Sequence, residues 1–260
     1  MDHSNHNDYV LSSVKNALRI LNSFSLDEPE KKVTDLAKSL GLGKSTVSRL
    51  LSTLASEGFV TKDHETQKYR LGLSILNLNT IVTSNLEVER ESLPVLQKLV
   101  DDIQETCHIA VLDGTDVIYI KKVECKHPIQ ILTHIGRRNP AYCTSSGRVL
   151  LAYQDEQVVR RILGGELKAY TTKTNTDPET ILNLIKKARE QGYTVSVEEL
   201  REGVTSISAP IRDYTNQVVN TLTVIGPTHR MNPANLKGYI HKIISAANEI
   251  SVRLGYRKRH

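Results

Sequence analysis

Ser45, Ser48, Arg49 and Ser52 recur at i, i+3, i+4 and i+7 within VTDLAKSLGLGKSTVSRLLSTL, residues 33–54. That spacing puts them on one face of a helix. Three short hydroxyls and one guanidinium suit the base edges of a DNA major groove, where arginine pairs bidentately with guanine. Val47, Leu50, Leu51 and Leu54 repeat the same spacing on a different face and form an apolar stripe for a core. Lys44 and Thr46 stand at the helix start, where backbone N–H groups also favour phosphate. Gly41-Leu42-Gly43 separates this helix from a shorter one carrying Leu36, Ala37 and Leu40. Two short helices with a turn and one polar outer face form a helix-turn-helix.

Other chemistries can be weighed against this one. Gly43-Lys44-Ser45-Thr46 imitates the end of a phosphate-binding GxxxxGK[ST] loop. The first glycine of that motif would fall at Lys38, inside a helix, so nucleotide hydrolysis is not expected. Ser12-x-x-Lys15 has the S-x-x-K spacing but lies in the first helix, and Ser145 and Ser146 lack the glycines of G-x-S-x-G. Nothing supplies a base or an oxyanion hole, so the chain is not read as an enzyme. Glu198, Glu199 and Glu202 read as a solvated loop. Cys107-His108, Cys125-x-His127 and Cys143 match no zinc spacing, and buried cysteines with surface histidines are expected in place of a metal site. No cofactor is implied.

The elements that must position the helix-turn-helix follow in order. Ser12 or Ser13 is expected to cap a first helix with Val14, Ala17, Leu18, Ile20 and Leu21. A charged turn, Leu26-Asp27-Glu28-Pro29-Glu30, precedes the helix pair, and Gly58 stops the second of the pair. Phe59 to Leu71 reads as a hairpin turning at His64-Glu65-Thr66-Gln67, with Tyr69 and Leu71 alternating with Lys68 and Arg70. Three helices and a hairpin make a winged helix-turn-helix. Lys62, Lys68 and Arg70 on the wing are placed to hold the DNA backbone. Gly72 to about Arg90 reads as a helix that is apolar on more than one side, which fits packing on a second copy of itself.

A second domain then opens with a helix starting near Ser92-Leu93-Pro94. Strands are expected at Cys107–Leu112, Val117–Val123 and Ile129–His134, then a loop at 136–140 and a short helix at Ser145–Tyr153. Helices at Asp155–Leu163 and Pro178–Gln191 follow, then strands at Tyr193–Val197, Val204–Ile211 and Val218–Ile225. Asn232-Pro233 starts a last helix. This order suggests an α+β domain around a central antiparallel sheet. The domains are drawn at 1–71, 72–90 for the linker helix and 91–260.

Composition agrees. The chain has 260 residues and a net charge of +5, which permits nucleic-acid binding without arguing for it. No apolar run approaches the roughly 18–20 residues of a membrane span. The first ten residues lack a basic start and an apolar stretch, so no signal peptide is read there. Three unpaired cysteines point to a reducing cytoplasm.

GLGKSTVSRLLSTLASEGFV, KYRLG, PAYCTSSGRVLLA, GYTVSVEELREGVTSISAPIRD and a strand ending Ile225-Gly226-Pro227 together resemble the IclR family of bacterial transcription regulators, from about Leu11 to Leu254. The resemblance implies a winged helix-turn-helix, a dimerising linker and a GAF-like C-terminal domain that binds a small effector. It implies a dimer or tetramer on double-stranded operator DNA, usually as a repressor. Carried over by position, the effector pocket falls on Ile131, Asn139, Ser145, Ser146, Ser196, Val204, Ser206, Thr223 and Ile225. Strand parity agrees, since Val204 shares a face with Ser206, and Thr223 with Ile225. Hydroxyls at the helix start and the nearby Arg137 and Arg138 suit a carboxylate. Ser196 departs from the acidic residue common at that place, and Gly43 from a common proline. The other reading of the opening stretch is a ligand-binding protein whose helix-turn-helix serves protein contact alone.

Overall fold

The computed structural model describes residues 10–84, 87–126 and 134–257. The chain divides into two compact units, Met1–Asn85 and Leu86–His260. The expected strand at 129–134 and the pocket position Ile131 fall almost wholly outside the described residues.

The first unit contains α1 (Ser12–Asn22), α2 (Val33–Leu40), α3 (Lys44–Ser56), β1 (Val60–Lys62), β2 (Tyr69–Leu71) and α4 (Ser74–Ser84). Ile20, Leu36, Ala37, Val47, Leu51, Leu54, Val60 and Tyr69 form its core. Gly41 ends α2 at φ +66°, a left-handed conformation that glycine adopts without steric cost. Arg19 donates to the Leu40 carbonyl (3.1 Å), satisfying one of the orphan acceptors at that helix end. The β1–β2 hairpin pairs Val60 with Leu71 and Lys62 with Tyr69. Lys31, just after the charged turn, exchanges both backbone hydrogen bonds with Tyr69 (2.9 and 2.8 Å). The wing therefore has a third strand position. The Ser12/Ser13 cap is corrected: Leu11 is the N-cap of α1, and no side chain caps it.

The second unit contains α5 (Glu87–Ile103), β3 (Thr106–Asp113), β4 (Asp116–Val123), β5 (Arg138–Pro140), α6 (Ser145–Leu151), α7 (Glu156–Leu163), α8 (Pro178–Gln191), β6 (Thr194–Val197), β7 (Val204–Arg212), β8 (Val218–Pro227) and α9 (Pro233–Arg253). Among the described residues its six strands run β5-β4-β3-β8-β7-β6, every neighbouring pair antiparallel. The α+β class and the antiparallel sheet agree with the sequence expectation.

Three expectations from the sequence need correction here. The stretch from Gly72 to Arg90, expected as one helix, holds α4 and the first turn of α5. Pro94, expected in the first turn of its helix, lies inside α5. An interior proline costs about 3 kcal/mol or more. The buried stripe Val88, Val95, Leu96, Leu99, Val100 and Ile103 offsets that cost, and Glu87 and Glu89 favour the helix N-terminus. The expected loop at 136–140 contains a short strand, with Asn139 opposite Val117.

The sheet's two faces differ in chemistry. Cys107, Ile109, Ile207, Ala209, Ile211, Leu222 and Val224 point toward α5 and α9 and join an apolar core. The alternate residues of the same strands, His108, Ser206, Ser208, Thr221 and Thr223, occupy the face covered by α6. Gly147 brings α6 down onto the 140–143 turn, because a Cβ there would sit 2.1 Å from the Ala141 carbonyl oxygen.

Candidate functional site

On α3, Val47, Leu51 and Leu54 are buried, and Lys44, Ser45, Thr46, Ser48, Arg49 and Ser52 are all exposed. The apolar stripe fixes the helix and leaves the predicted face outward. Gly43 is the N-cap, with φ −65° and ψ 141°, and no side chain caps the first turn. Its backbone N–H groups are therefore not taken by a capping side chain. The proline common at Gly43 would meet its own preferred φ there.

The wing adds three cations in different states. Arg70 is exposed. Lys62 lies 5.8 Å from the centre of the Tyr69 ring, and Lys68 Nζ lies 3.8 Å from Glu30. Asp63 shapes the wing tip by accepting from the Glu65 and Thr66 N–H groups (2.9 and 2.8 Å). Hydrogen bonds from Thr66 hold its carboxyl below the usual range.

The second site is a cavity of about 410 Å³ in the second unit. Of the predicted positions, Asn139, Ser146, Ser196, Val204, Ser206 and Ile225 line it. Ser145 and Thr223 stand one layer behind. Ser145 donates to Ser206 (2.7 Å) and lies 2.8 Å from Ser208, and Ser208 lies 2.7 Å from Thr223. A chain of four hydroxyls thus runs inward from the cavity wall. Ser196 contacts the Cys143 carbonyl at 3.4 Å. Thr144 caps α6, its Oγ1 accepting from the Gly147 N–H (3.1 Å).

Several lining residues lie outside the set carried over by position: Tyr119, Cys143, Thr144, Tyr170, Leu200 and Arg201. Parity on β4 would have found Tyr119, whose strand partner is Ala110. Burial pushes the Cys143 thiol up to about 12, so it is a neutral wall group. Arg137 and Arg138 both line the cavity, but Arg138 is bound to Asp113 (2.7 Å) and Asp116 (3.2 Å). Arg137 donates to Asn139 (3.3 Å). Arg201 is exposed and makes no ion pair among the described residues.

The loop bearing Leu200 and Arg201 is pinned from beneath. Arg148, 1% exposed, gives both terminal nitrogens to Glu199, one at 2.6 Å, and its Nε to the Tyr142 carbonyl (3.0 Å). Thr174 Oγ1 donates to the Glu199 carbonyl (2.5 Å), and Thr171 to that of Glu198 (2.7 Å). The solvated-loop reading of Glu199 is therefore corrected. Its carboxylate balances a buried guanidinium, a role set by tertiary packing.

The surface-histidine reading fails at His108, which is fully buried. Burial, with Lys122 nearby, lowers its pKa to about 3. The ring stacks on Tyr119 with centroids 4.6 Å apart. Among the described residues neither nitrogen has a hydrogen-bond partner, and each unmet buried group costs about 1–3 kcal/mol. The three cysteines are free and buried. Among the described residues, no group of three or more His, Cys, Asp or Glu could hold a metal ion, and no helix is long and apolar enough to cross a membrane.

Residues 13–64 match the IclR helix-turn-helix domain, and residues 80–252 the C-terminal domain of bacterial transcriptional regulator IclR. The chain is similar to the HTH-type transcriptional regulator KdgR of Escherichia coli, at 34% identity over 95% of this chain and 94% of that protein. The IclR transcriptional regulator of Alicyclobacillus acidocaldarius superposes with a TM-score of 0.83 at 29% identity, over 94% of this chain and 99% of that one. An IclR homologue of Microbacterium hydrocarbonoxydans, solved with 4-hydroxybenzoate, shares the fold at TM-score 0.82 and 24% identity, over 94% and 99% of the two chains. A helix that turns six polar groups outward, a walled cavity in the second unit and two family domains spanning most of the chain lead to one conclusion: this protein belongs to the IclR family of DNA-binding transcription regulators.

Proposed function

We propose that the protein is a cytoplasmic repressor that binds a pseudo-palindromic operator as a dimer or tetramer and responds to a small carboxylate. The observation that carries the DNA half is the α3 surface: its apolar groups are spent on the core and its polar groups face outward. Lys44, Ser45, Thr46, Ser48, Arg49 and Ser52 meet the major groove or its phosphates, with Arg49 on a guanine. Lys62, Lys68 and Arg70 hold the backbone. Residues 1–71 read DNA, 72–90 link and pair the protomers, and 91–260 bind the effector. Exposed Leu73, Leu76, Leu78 and Ile81 support the pairing role.

The cavity supports the effector half. Among the described residues its polar lining includes cationic, hydroxyl and amide groups and no carboxylate, which suits an anion with further polar groups. Effector binding shifts the second domain between two packings, and the linkers reset the separation of the recognition helices. Two half-sites are read about 34–36 Å apart or at multiples of that distance, so a small change in separation alters affinity. A coupling of about 1–3 kcal/mol gives roughly 5–150-fold control. The protein catalyses no reaction in this reading.

Titration of the protein's own promoter DNA at several salt concentrations tests the proposal. Steeply salt-dependent binding is expected, with Lys68→Ala lowering the salt slope by about one phosphate contact. Binding that ignores salt would favour the alternative in which the helix-turn-helix contacts only protein. If a candidate acid binds the protein but never changes operator affinity, the coupling fails.

A further inference from the structure

The segment between α7 and α8 separates two hollows of the second unit. One is the 410 Å³ cavity. The other, of about 330 Å³, lies between that segment, the end of α7 and the β3–β4 turn. Among the described residues, Pro140 and Tyr170 alone line both. Pro140 belongs to β5, where strand pairing sets it opposite Asp116. The Tyr170 side chain is therefore the part of the partition that the sheet does not fix. Burial first, then Cys143 and Asp116, raise the pKa of its phenol. Charge interactions weaken with distance, and Cys143 lines only the cavity while Asp116 lines only the neighbouring hollow. The ring thus stands between one wall group of each.

The backbone that carries this ring is held on both sides. Tyr142 donates its hydroxyl to the Lys168 carbonyl (2.5 Å), and the N–H groups of Tyr170 and Thr171 donate to Thr174 Oγ1 (2.9 and 2.8 Å). The side chain itself contributes little to the fold. Its hydroxyl makes no hydrogen bond among the described residues, Lys168 Nζ lies 5.5 Å from its ring centre, and the residue is 42% exposed. A large ring on a fixed backbone, with no structural partner that requires it, is free to set the dimensions of a ligand. The space it leaves is small: 410 Å³ lies near the lower end of the roughly 300–1,000 Å³ of small-molecule sites. Beyond the ring the lining changes character, with Arg161, Lys168 and Glu166 carrying both signs of charge.

From this partition we infer that Tyr170 is a specificity-determining residue that limits the length of the effector. Its ring shuts the cavity off from the neighbouring hollow, so the site takes a compact ligand of monosaccharide or single-ring size and excludes disaccharide-sized or bicyclic ones. The inference rests on the reading of the cavity as the effector site.

Cys143 supplies a native reporter. It lines the cavity yet is fully buried, whereas Cys107 and Cys125 lie in the apolar core on the other face of the sheet. The full chain is incubated with fluorescein maleimide, a bulky thiol reagent, and labelling of each cysteine is followed by peptide mass spectrometry. Tyr170→Ala is expected to speed labelling of Cys143 about tenfold or more, and Tyr170→Phe to change it by less than about twofold, because the ring and not the hydroxyl forms the wall. With the smaller N-ethylmaleimide, Tyr170→Ala gains about threefold or less, since a compact reagent needs the partition open less. Cys107 labelling requires the core to open and stays at the parent rate in both variants, which separates an opened partition from a loosened fold. Equal Cys143 rates in the parent and Tyr170→Ala overturn the inference. So does a gain that Tyr170→Phe shares, that both reagents show equally, or that Cys107 matches. Protein labelled at Cys143 with N-ethylmaleimide has a filled cavity, and its affinity for promoter DNA tests the effector reading separately. If the rates are as expected but the adduct binds that DNA unchanged, the partition stands and the effector reading falls. If the adduct binds differently but Tyr170→Ala changes no rate, the effector site stands and the length limit falls.

Discussion

The two functional regions use polar side chains in opposite ways. On α3, Ser45, Ser48, Arg49 and Ser52 face outward and the fold does not depend on them. Around the cavity, Ser145, Ser206, Ser208 and Thr223 are tied to one another, and Arg148 is tied to Glu199. A surface that must meet a large external partner can leave its polar groups to water until that partner arrives. A pocket that must hold a small molecule has to fix its walls in advance, so its polar groups serve folding and recognition at once. Substitutions should therefore separate stability from binding on α3 and entangle them in the pocket.

Glu199→Ala should break this contrast most severely if it is wrong. It strands the buried Arg148 guanidinium, and losing one partner of a buried pair costs about 3–5 kcal/mol. Urea unfolding should show that loss; a change under about 1 kcal/mol would mean the pocket is no more interlocked than α3. Acid should expose a second cost. His108 has a depressed pKa in the folded chain, so its contribution is present above about pH 6.5 and is lost as pH falls toward about 3. Lowering pH from 7.5 to 5 should cost about 2 kcal/mol through this group, because the unfolded chain takes up the proton and the folded chain does not. Subtracting the same pH series for His108→Phe isolates that share, and superimposable curves would refute it.

Arg49→Ala is the opposite case. Operator discrimination should fall by about 1–3 kcal/mol and sequence preference relax, with unfolding changed by about 0.5 kcal/mol or less. An unaltered footprint would remove Arg49 from the reading surface. The smallest expected effect sharpens the same boundary. Gly43 has an ordinary φ of −65°, and a Cβ there meets nothing closer than Thr46 Oγ1 at 3.7 Å. The unfolded-chain gain of about 0.4–1 kcal/mol from Gly43→Ala is therefore opposed only by the poorer N-cap that alanine makes, and stability of the first unit should change by about 0.5 kcal/mol or less. A larger fall in its melting temperature would show that the loose entry to α3 is needed by the fold.

The comparison also explains what could be read from the residues alone. The α3 face was legible because helical period separates core from surface within one segment, and Val47, Leu51 and Leu54 fall where that period puts them. Strand parity placed Val204 and Ser206 on the cavity side for the same local reason. Glu199 was misread because its partner is 51 positions away in sequence, and no local pattern announces an ion pair closed by tertiary packing. His108 was misread as a surface group because a lone polar residue in a strand does not reveal whether a helix covers it. Pro94 misplaced the start of α5 because a packed stripe outweighed the local signal. Lys31 pairs with Tyr69 through its backbone, which side-chain type does not encode.

Gly147 constrains how this regulator could acquire a new effector. Helix α6 and the 140–143 turn both supply cavity wall, and their backbones meet where no Cβ would fit. The wall cannot yield there, and substitution at Gly147 would part helix from turn. New specificity would instead have to arise through exchange of lining side chains such as Tyr119, Ser196, Arg201 and Ile225. The scaffold then works as a fixed mould with replaceable inserts, in which small changes of side chain can alter the ligand while the architecture that transmits its arrival is inherited intact.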